Sequence, residues 1–177
     1  EEIKVPGQHQ VTNTLAAVRV AKLLGLDMEQ MTRGIASVVP IAGRNRIIQE
    51  GNFTLIDDCY NANPVSMKAA LDLLSLADTR KVAILGDMFE LGENSDMLHS
   101  GVGCYAKGKT DLLICIGENA KHIYDGAKEA GVAHIYHFTD KESFLREKEN
   151  LLQAGDTILL KASHGMAFET LISQLLQ

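Results

Sequence analysis

From residue 44 onward, short continuously apolar runs alternate with longer segments in which apolar side chains recur at helical spacing. The runs at 82–85, 112–116 and 158–160 contain no charged or hydroxyl side chain. Strands of that kind are buried on both faces, which requires helices above and below a parallel sheet. The pattern predicts strands over 46–49, 53–57, 81–85, 112–116, 135–138 and 157–161. It predicts helices over 65–77, 95–107, 118–130, 141–152 and 167–176. In the first of these, Met67, Ala70, Leu71 and Leu74 share one face. Repeated strand–helix alternation implies a doubly wound α/β domain, its sheet mostly parallel and its crossovers right-handed. Ahead of it, 11–24 reads as a helix, with Val11, Leu15 and Val18 on one stripe, Thr12 or Asn13 near its start and Gly25 past its end. A shorter helix is predicted over 28–36. Pro40 and Gly43 then interrupt the pattern, so residues 1–42 are expected to form a separate helical piece and 43–177 the α/β domain.

Composition narrows the function classes. A chain of 177 residues with 46% hydrophobic and 23% charged residues can bury a core of ordinary globular kind. With 17 basic and 23 acidic residues the formal charge is -6, which disfavours nucleic acid and anionic membrane surfaces as partners. A phosphate-bearing ligand must then be held by a local positive site. Cys59, Cys104 and Cys115 lack zinc spacing and form no even-numbered disulfide framework, so idle thiols in a reducing cytoplasm are expected. No signal peptide and no membrane-spanning apolar run is visible. The chain starts at Glu1 without methionine and runs almost at once into a helix pattern, as a piece of a longer chain does.

In an open parallel sheet, ligands bind beyond the carboxyl ends of the strands. The segments that follow the predicted strands there are polar: 57–63, 86–90, 117–119 and 161–165. The connections at the other edge, 78–80, 109–111 and 154–156, are short turns. Each polar residue also has a plain structural reading. Asp57 and Asp58 end a strand and turn the chain, and Asn61 and Asn63 before Pro64 suit a turn and a helix cap. Asp87 suits a solvated loop, and Lys161 a surface charge, although it follows a wholly apolar strand.

Two motifs fail on structural context. Residues 103–110 match the phosphate-loop pattern G-x-x-x-x-G-K-[ST], but they follow a helix and precede a strand. That order turns the backbone donors away from the task. His134 and His137 are predicted on one strand at a spacing that puts their rings on opposite faces, so they are poor joint metal ligands.

The run G-Q-H-Q-V-T-N-T-L-A-A at 7–17 resembles the G-x-H-N-x-x-N-x-L-A-A segment of the Mur ligase family. Residues 39–44 resemble the family's hinge into its last domain. L-I-D-D-C-Y-N-A-N-P-V-S-M at 55–67, L-G-D-M-F-E-L-G at 85–92 with His99 after it, and L-K-A-S-H at 160–164 follow in the family's order. The Y-N-A-N-P and G-D-M-x-E-L-G runs resemble the members that add D-alanyl-D-alanine. Gln10, Cys59 and Ala162 replace the usual Asn, Ser and Gly.

The resemblance implies a Rossmann-like last domain, with 1–42 as the helical remnant of a central ATP-binding domain. It implies an ATP-dependent ligase of cytoplasmic peptidoglycan synthesis. ATP and Mg2+ activate the carboxylate of a UDP-N-acetylmuramoyl tripeptide as an acyl phosphate, which the amine of D-alanyl-D-alanine attacks. The phosphate loop and metal ligands would lie in the N-terminal and central domains, outside this chain, leaving it inactive alone. By position, Asn13 would lie against adenine, Arg44 would reach the phosphates and Asp58 would accept from the ribose hydroxyls. Tyr60, Asn61 and Asn63 would hold the dipeptide, with Asn119, Lys161, Ser163 and His164 completing its pocket. Asp87 would order its loop or contact substrate. A sibling ligase that adds another amino acid, or a non-catalytic nucleotide-binding module of the same fold, remains open.

Overall fold

The computed structural model describes residues 7–39 and 41–176. Pro40, one of the two expected boundary breakers, lies outside the described residues, as do the side chains of Gln8 and His9 from the first motif. Two helices, α1 (Gln8–Leu23) and α2 (Met28–Ala36), come first. The α/β part follows as β1 (Arg46–Glu50), β2 (Phe53–Asp57), α3 (Pro64–Leu74), β3 (Lys81–Gly86), α4 (Ser95–Tyr105), β4 (Leu112–Ile116), α5 (Ala120–Ala130), β5 (Ile135–Phe138), α6 (Lys141–Leu151), β6 (Thr157–Lys161) and α7 (Glu169–Leu175).

The six strands form one sheet in the order β1-β2-β6-β3-β4-β5. All neighbours are parallel except the β1–β2 hairpin. Successive strand residues face opposite sides, and both sides are sealed. Ile56, Ala83, Leu85, Leu113 and Leu159 pack on one side with Met67, Leu71, Val102 and Ile123 of α3, α4 and α5. Leu55, Ile84, Ile114, Ile158 and Leu160 pack on the other with Phe144, Leu171 and Leu175 of α6 and α7. The doubly wound α/β fold read from the sequence is the observed one.

The last strand, β6, returns to the middle of the sheet and pairs with both β2 and β3. Its carboxyl end is therefore flanked by the loops that follow β2 and β3. This placement builds the polar rim described below.

Helix ends differ from the sequence reading for local reasons. α1 begins at Gln8, after Gly7 with φ 113, so Thr12 and Asn13 lie inside it and not at its start. The segment after Leu74 tightens into i→i+3 bonds, Leu76 to Leu73 and Ala77 to Leu74, which ends α3 early. Gly117, with φ 121, delays α5 to Ala120. A short 3-10 turn (His164–Met166) and left-handed Ala167 delay α7 to Glu169.

Met31 is the one buried hydrophobic residue among the described side chains of α1 and α2. Leu15, Val20 and Leu23 stand 63%, 57% and 79% exposed. The two helices are formed and touch each other, but their apolar sides are not covered by the sheet layers.

The phosphate-loop-like run is confirmed as structural. Gly103 lies within α4, and a Cβ built there would sit 1.9 Å from the Ile123 carbonyl oxygen of α5. Gly126 approaches Ser100 in the same way, so α4 and α5 cross backbone to backbone. Lys109 is paired with Asp72 of α3 at 2.6 Å. By contrast, a Cβ at Gly101 of α4 meets nothing within 4 Å. Gly103→Ala is therefore expected to lower stability by about 1–3 kcal/mol through overpacking against rigid backbone. Gly101→Ala should raise it by about 0.5–1 kcal/mol through helix propensity. Urea melts of the two variants check this, and equal midpoints would refute the close crossing.

Candidate functional site

The rim is built from the bottom by buried polar groups that satisfy one another. Lys161 ends β6 at 1% exposure, and its ammonium donates to Asp58 Oδ2 at 2.5 Å and to the Asn61 carbonyl at 2.9 Å. A buried ammonium is tolerable only with such acceptors. The other Asp58 oxygen accepts from the Asn45 backbone at 3.3 Å. Asp57 accepts from Gly43 N–H at 2.8 Å, and Gly43 returns its carbonyl to Tyr60 N–H at 2.9 Å. The segment entering the α/β domain is thus clipped to the loop after β2 by both aspartates. Cys59 is buried beneath them, and burial followed by the nearby Asp57 charge pushes its thiol pKa far up, so it stays protonated.

A second cluster sits where β3, β4 and β6 end. Asp87 accepts from Ala120 N–H at 2.7 Å and from the Asn119 amide at 3.4 Å, tying β3 to the start of α5. Its carbonyl accepts from Ser163 N–H at 3.0 Å, and the Ser163 hydroxyl accepts from Phe89 N–H at 2.8 Å. Met88 N–H donates to His99 Nε2 at 2.9 Å. Because a backbone amide only donates, Nε2 is unprotonated, and Nδ1–H donates to the Ser95 carbonyl at 2.8 Å.

Above these floors lie exposed groups. The Arg44 guanidinium stacks 4.1 Å from the centre of the Tyr60 ring, and Tyr60 lies 5.8 Å from the His164 ring. Arg44 and Tyr60 border a cleft of about 820 Å³ between the rim and α1. Among the residues expected from the sequence, Asn13, Arg44, Asp58, Tyr60, Asn61, Asn63 and Lys161 all line it. Asn13 reaches it from α1, where its amide donates to Gln10 at 3.3 Å. Asp87, Asn119 and Ser163 do not line this cleft; they form the second cluster, and His164 bridges the two through Tyr60.

Several of these residues perform the structural alternative as well. The side-chain oxygen of Asn63 accepts from Ser66 N–H at 2.9 Å in a capping box, with Pro64 in the first turn of α3. Asn61 Oδ1 accepts from Ala62 N–H at 2.8 Å. Lys161 is no surface charge.

Sequence reasoning missed the structural parts played by His99, Asn45 and Phe89. For His99 a signal existed: it shares the buried stripe of α4 with Val102 and Gly103, and a histidine on such a stripe needs internal partners. Among the described residues, no group of three His, Cys, Asp or Glu side chains is arranged to hold a metal ion. No helix of the described residues is long and apolar enough to cross a membrane.

Replacing His99 with Leu would leave the Met88 N–H buried without an acceptor, at a cost of about 1–3 kcal/mol. The same geometry predicts the Nδ1–H tautomer in 15N-resolved imidazole spectra. An Nε2–H signal for His99 would refute the contact.

The family model for the Mur ligase, glutamate ligase domain matches residues 43–164. The UDP-N-acetylmuramoyl-tripeptide–D-alanyl-D-alanine ligase of Bacillus subtilis is 31% identical over 180 residues, covering 99% of this chain and 39% of the relative. A crystal structure of MurF from Acinetobacter baumannii superposes with a TM-score of 0.88 at 32% identity, over 96% of this chain and 38% of that one. MurF ligase from Thermotoga maritima, solved in complex with ADP, shares the fold with a TM-score of 0.81 at 24% identity, over 97% and 39% of the two chains. The chain thus spans about two-fifths of the length of the relatives it matches.

Proposed function

Because this chain belongs to the Mur ligase family, we propose that it is the C-terminal part of a cytoplasmic ATP-dependent ligase that adds D-alanyl-D-alanine to a UDP-N-acetylmuramoyl tripeptide. The observation that carries this reading is the single cleft lined together by Asn13, Arg44, Asp58, Tyr60 and Asn61, which come from two regions of the chain. In this reading residues 1–42 are the tail of a central ATP-binding domain, and 43–177 form the amine-substrate domain.

Each lining group has chemistry suited to its part. Arg44 carries a permanent positive charge at the mouth, fit for nucleotide phosphates. Asp58, which accepts from Lys161 and from the Asn45 N–H, places its carboxylate in the lining of the cleft, where it suits ribose hydroxyls. Asn13 offers an amide edge for adenine. Tyr60 and Asn61 face the dipeptide, and His164 extends that wall. Asn63, Asp87, Asn119, Lys161 and Ser163 shape the pocket mainly by holding loops in place. ATP activates the acceptor carboxylate as an acyl phosphate, and the dipeptide amine displaces phosphate to form the amide. This chain's share is to bring the amine in and to help close the cleft against water.

The rim does not fit Mg2+ well. Asp57, Asp58 and Asp87 already accept from groups of the chain itself. We therefore assign the metal ligands, with the phosphate loop, to the preceding domain. Phosphoryl transfer depends on those parts.

Phosphate release in the intact ligase should require ATP, the UDP-linked tripeptide and D-alanyl-D-alanine together, and should fail with diaminopimelate or glutamate as the amine. The 177-residue chain alone should show no turnover. Arg44→Ala in the intact ligase should lower kcat/KM for ATP about 10- to 100-fold, the worth of a charge-assisted contact. Turnover with glutamate in place of the dipeptide would assign the chain to a sibling ligase. Turnover by the isolated chain near the intact rate would overturn the division of labour.

A further inference from the structure

We propose that Lys161 is a positioning residue that couples the nucleotide end of the cleft to the amine-substrate end, an inference that rests on the functional reading above. Its ammonium reaches three acceptors, Asp58 Oδ2 at 2.5 Å, the Asn61 carbonyl at 2.9 Å and, more weakly, the Asp58 carbonyl at 3.5 Å. All three lie on the one loop after β2, while Lys161 itself belongs to the central strand β6. At 1% exposure, with its donors directed to that loop, the ammonium acts on a ligand through the loop.

Two lines of contact run from the ammonium through that loop. Through Asp58 the ammonium holds the Asn45 backbone, next to Arg44, whose guanidinium lies on Tyr60. Through the Asn61 carbonyl it holds the turn that leads into the Asn63 cap of α3. Arg44 and Asp58 form the end proposed for nucleotide, and Tyr60 and Asn61 the end proposed for the dipeptide. One buried charge therefore sets both. A nucleotide hydroxyl that draws on Asp58 changes how the ammonium is shared with the Asn61 carbonyl. Binding at either end then alters affinity at the other, and by linkage the effect is reciprocal.

The test is a double-mutant cycle in the intact ligase with Lys161→Met and Asp58→Asn, reading KM for ATP, KM for the dipeptide, kcat and the melting temperature. Lys161→Met should raise both KM values about tenfold, the scale of coupling within one hydrogen-bonded network. Asp58→Asn, although at the nucleotide end, should also raise the dipeptide KM. In the Lys161→Met background it should leave the dipeptide KM unchanged. A merely structural lysine would lower the melting temperature and leave both KM values alone. That result, or additive effects of the two substitutions on the dipeptide KM, overturns the proposal. If Lys161→Met does not melt cooperatively, Lys161→Arg is read instead. It keeps the charge but alters the contacts with both Asp58 and Asn61, so both KM values should rise; a rise in one alone, or in neither, overturns the coupling. An intact wild-type ligase that uses a different amine refutes the functional reading, and the cycle is then read on the KM of that amine.

Discussion

A parallel sheet covered by helices on both faces has no room for polar side chains along its length, so polar groups collect where the strands stop. Every residue of β4 and β6 is buried here, and β3 is buried after Lys81. Asp57, Asp87 and Lys161 appear at or just beyond the carboxyl ends of three neighbouring strands. The insertion of β6 between β2 and β3 brings these ends side by side. The rim therefore follows from the sealing of the sheet together with its strand order.

The rim has two layers. The lower one, containing Asp57, Asp58, Asp87, His99, Lys161 and Ser163, is buried and internally hydrogen bonded. The upper one, containing Arg44, Tyr60, Asn61 and His164, is exposed. Buried polar groups joined in this way are rigid because each would lose an irreplaceable partner by moving. The exposed groups are thereby carried on a fixed base, which suits a site that must recognise more than one ligand.

The cleft is closed on its other side by α1, which contributes Gln10 and Asn13. That helix and α2 carry apolar side chains that remain exposed, Leu15, Leu23 and Met28 among them. Apolar surface of this kind, beside the cleft, accords with a chain that spans only part of its relatives' length. The clip of Gly43 and Asn45 to Asp57 and Asp58 fastens the start of the α/β part to the rim.

Periodicity and composition were enough to read the strand–helix alternation, the burial of the sheet on both faces and the edge that carries polar loops. They were enough, too, for the capping chemistry of Asn63 and Pro64 and for rejecting the run at 103–110 as a phosphate loop. Those features depend on local geometry: which face a residue takes, and what precedes and follows it. Local pattern carried no information on which strands are neighbours. Lys161 and Asp58 are 103 positions apart, and only the return of β6 to the centre of the sheet joins them. The pairing of Ser163 with Phe89, and of His99 with Met88, was decided in the same way. A sequence records the donors and acceptors each residue owns, whereas their partners are set by long-range strand order and packing, which the tertiary structure alone supplies.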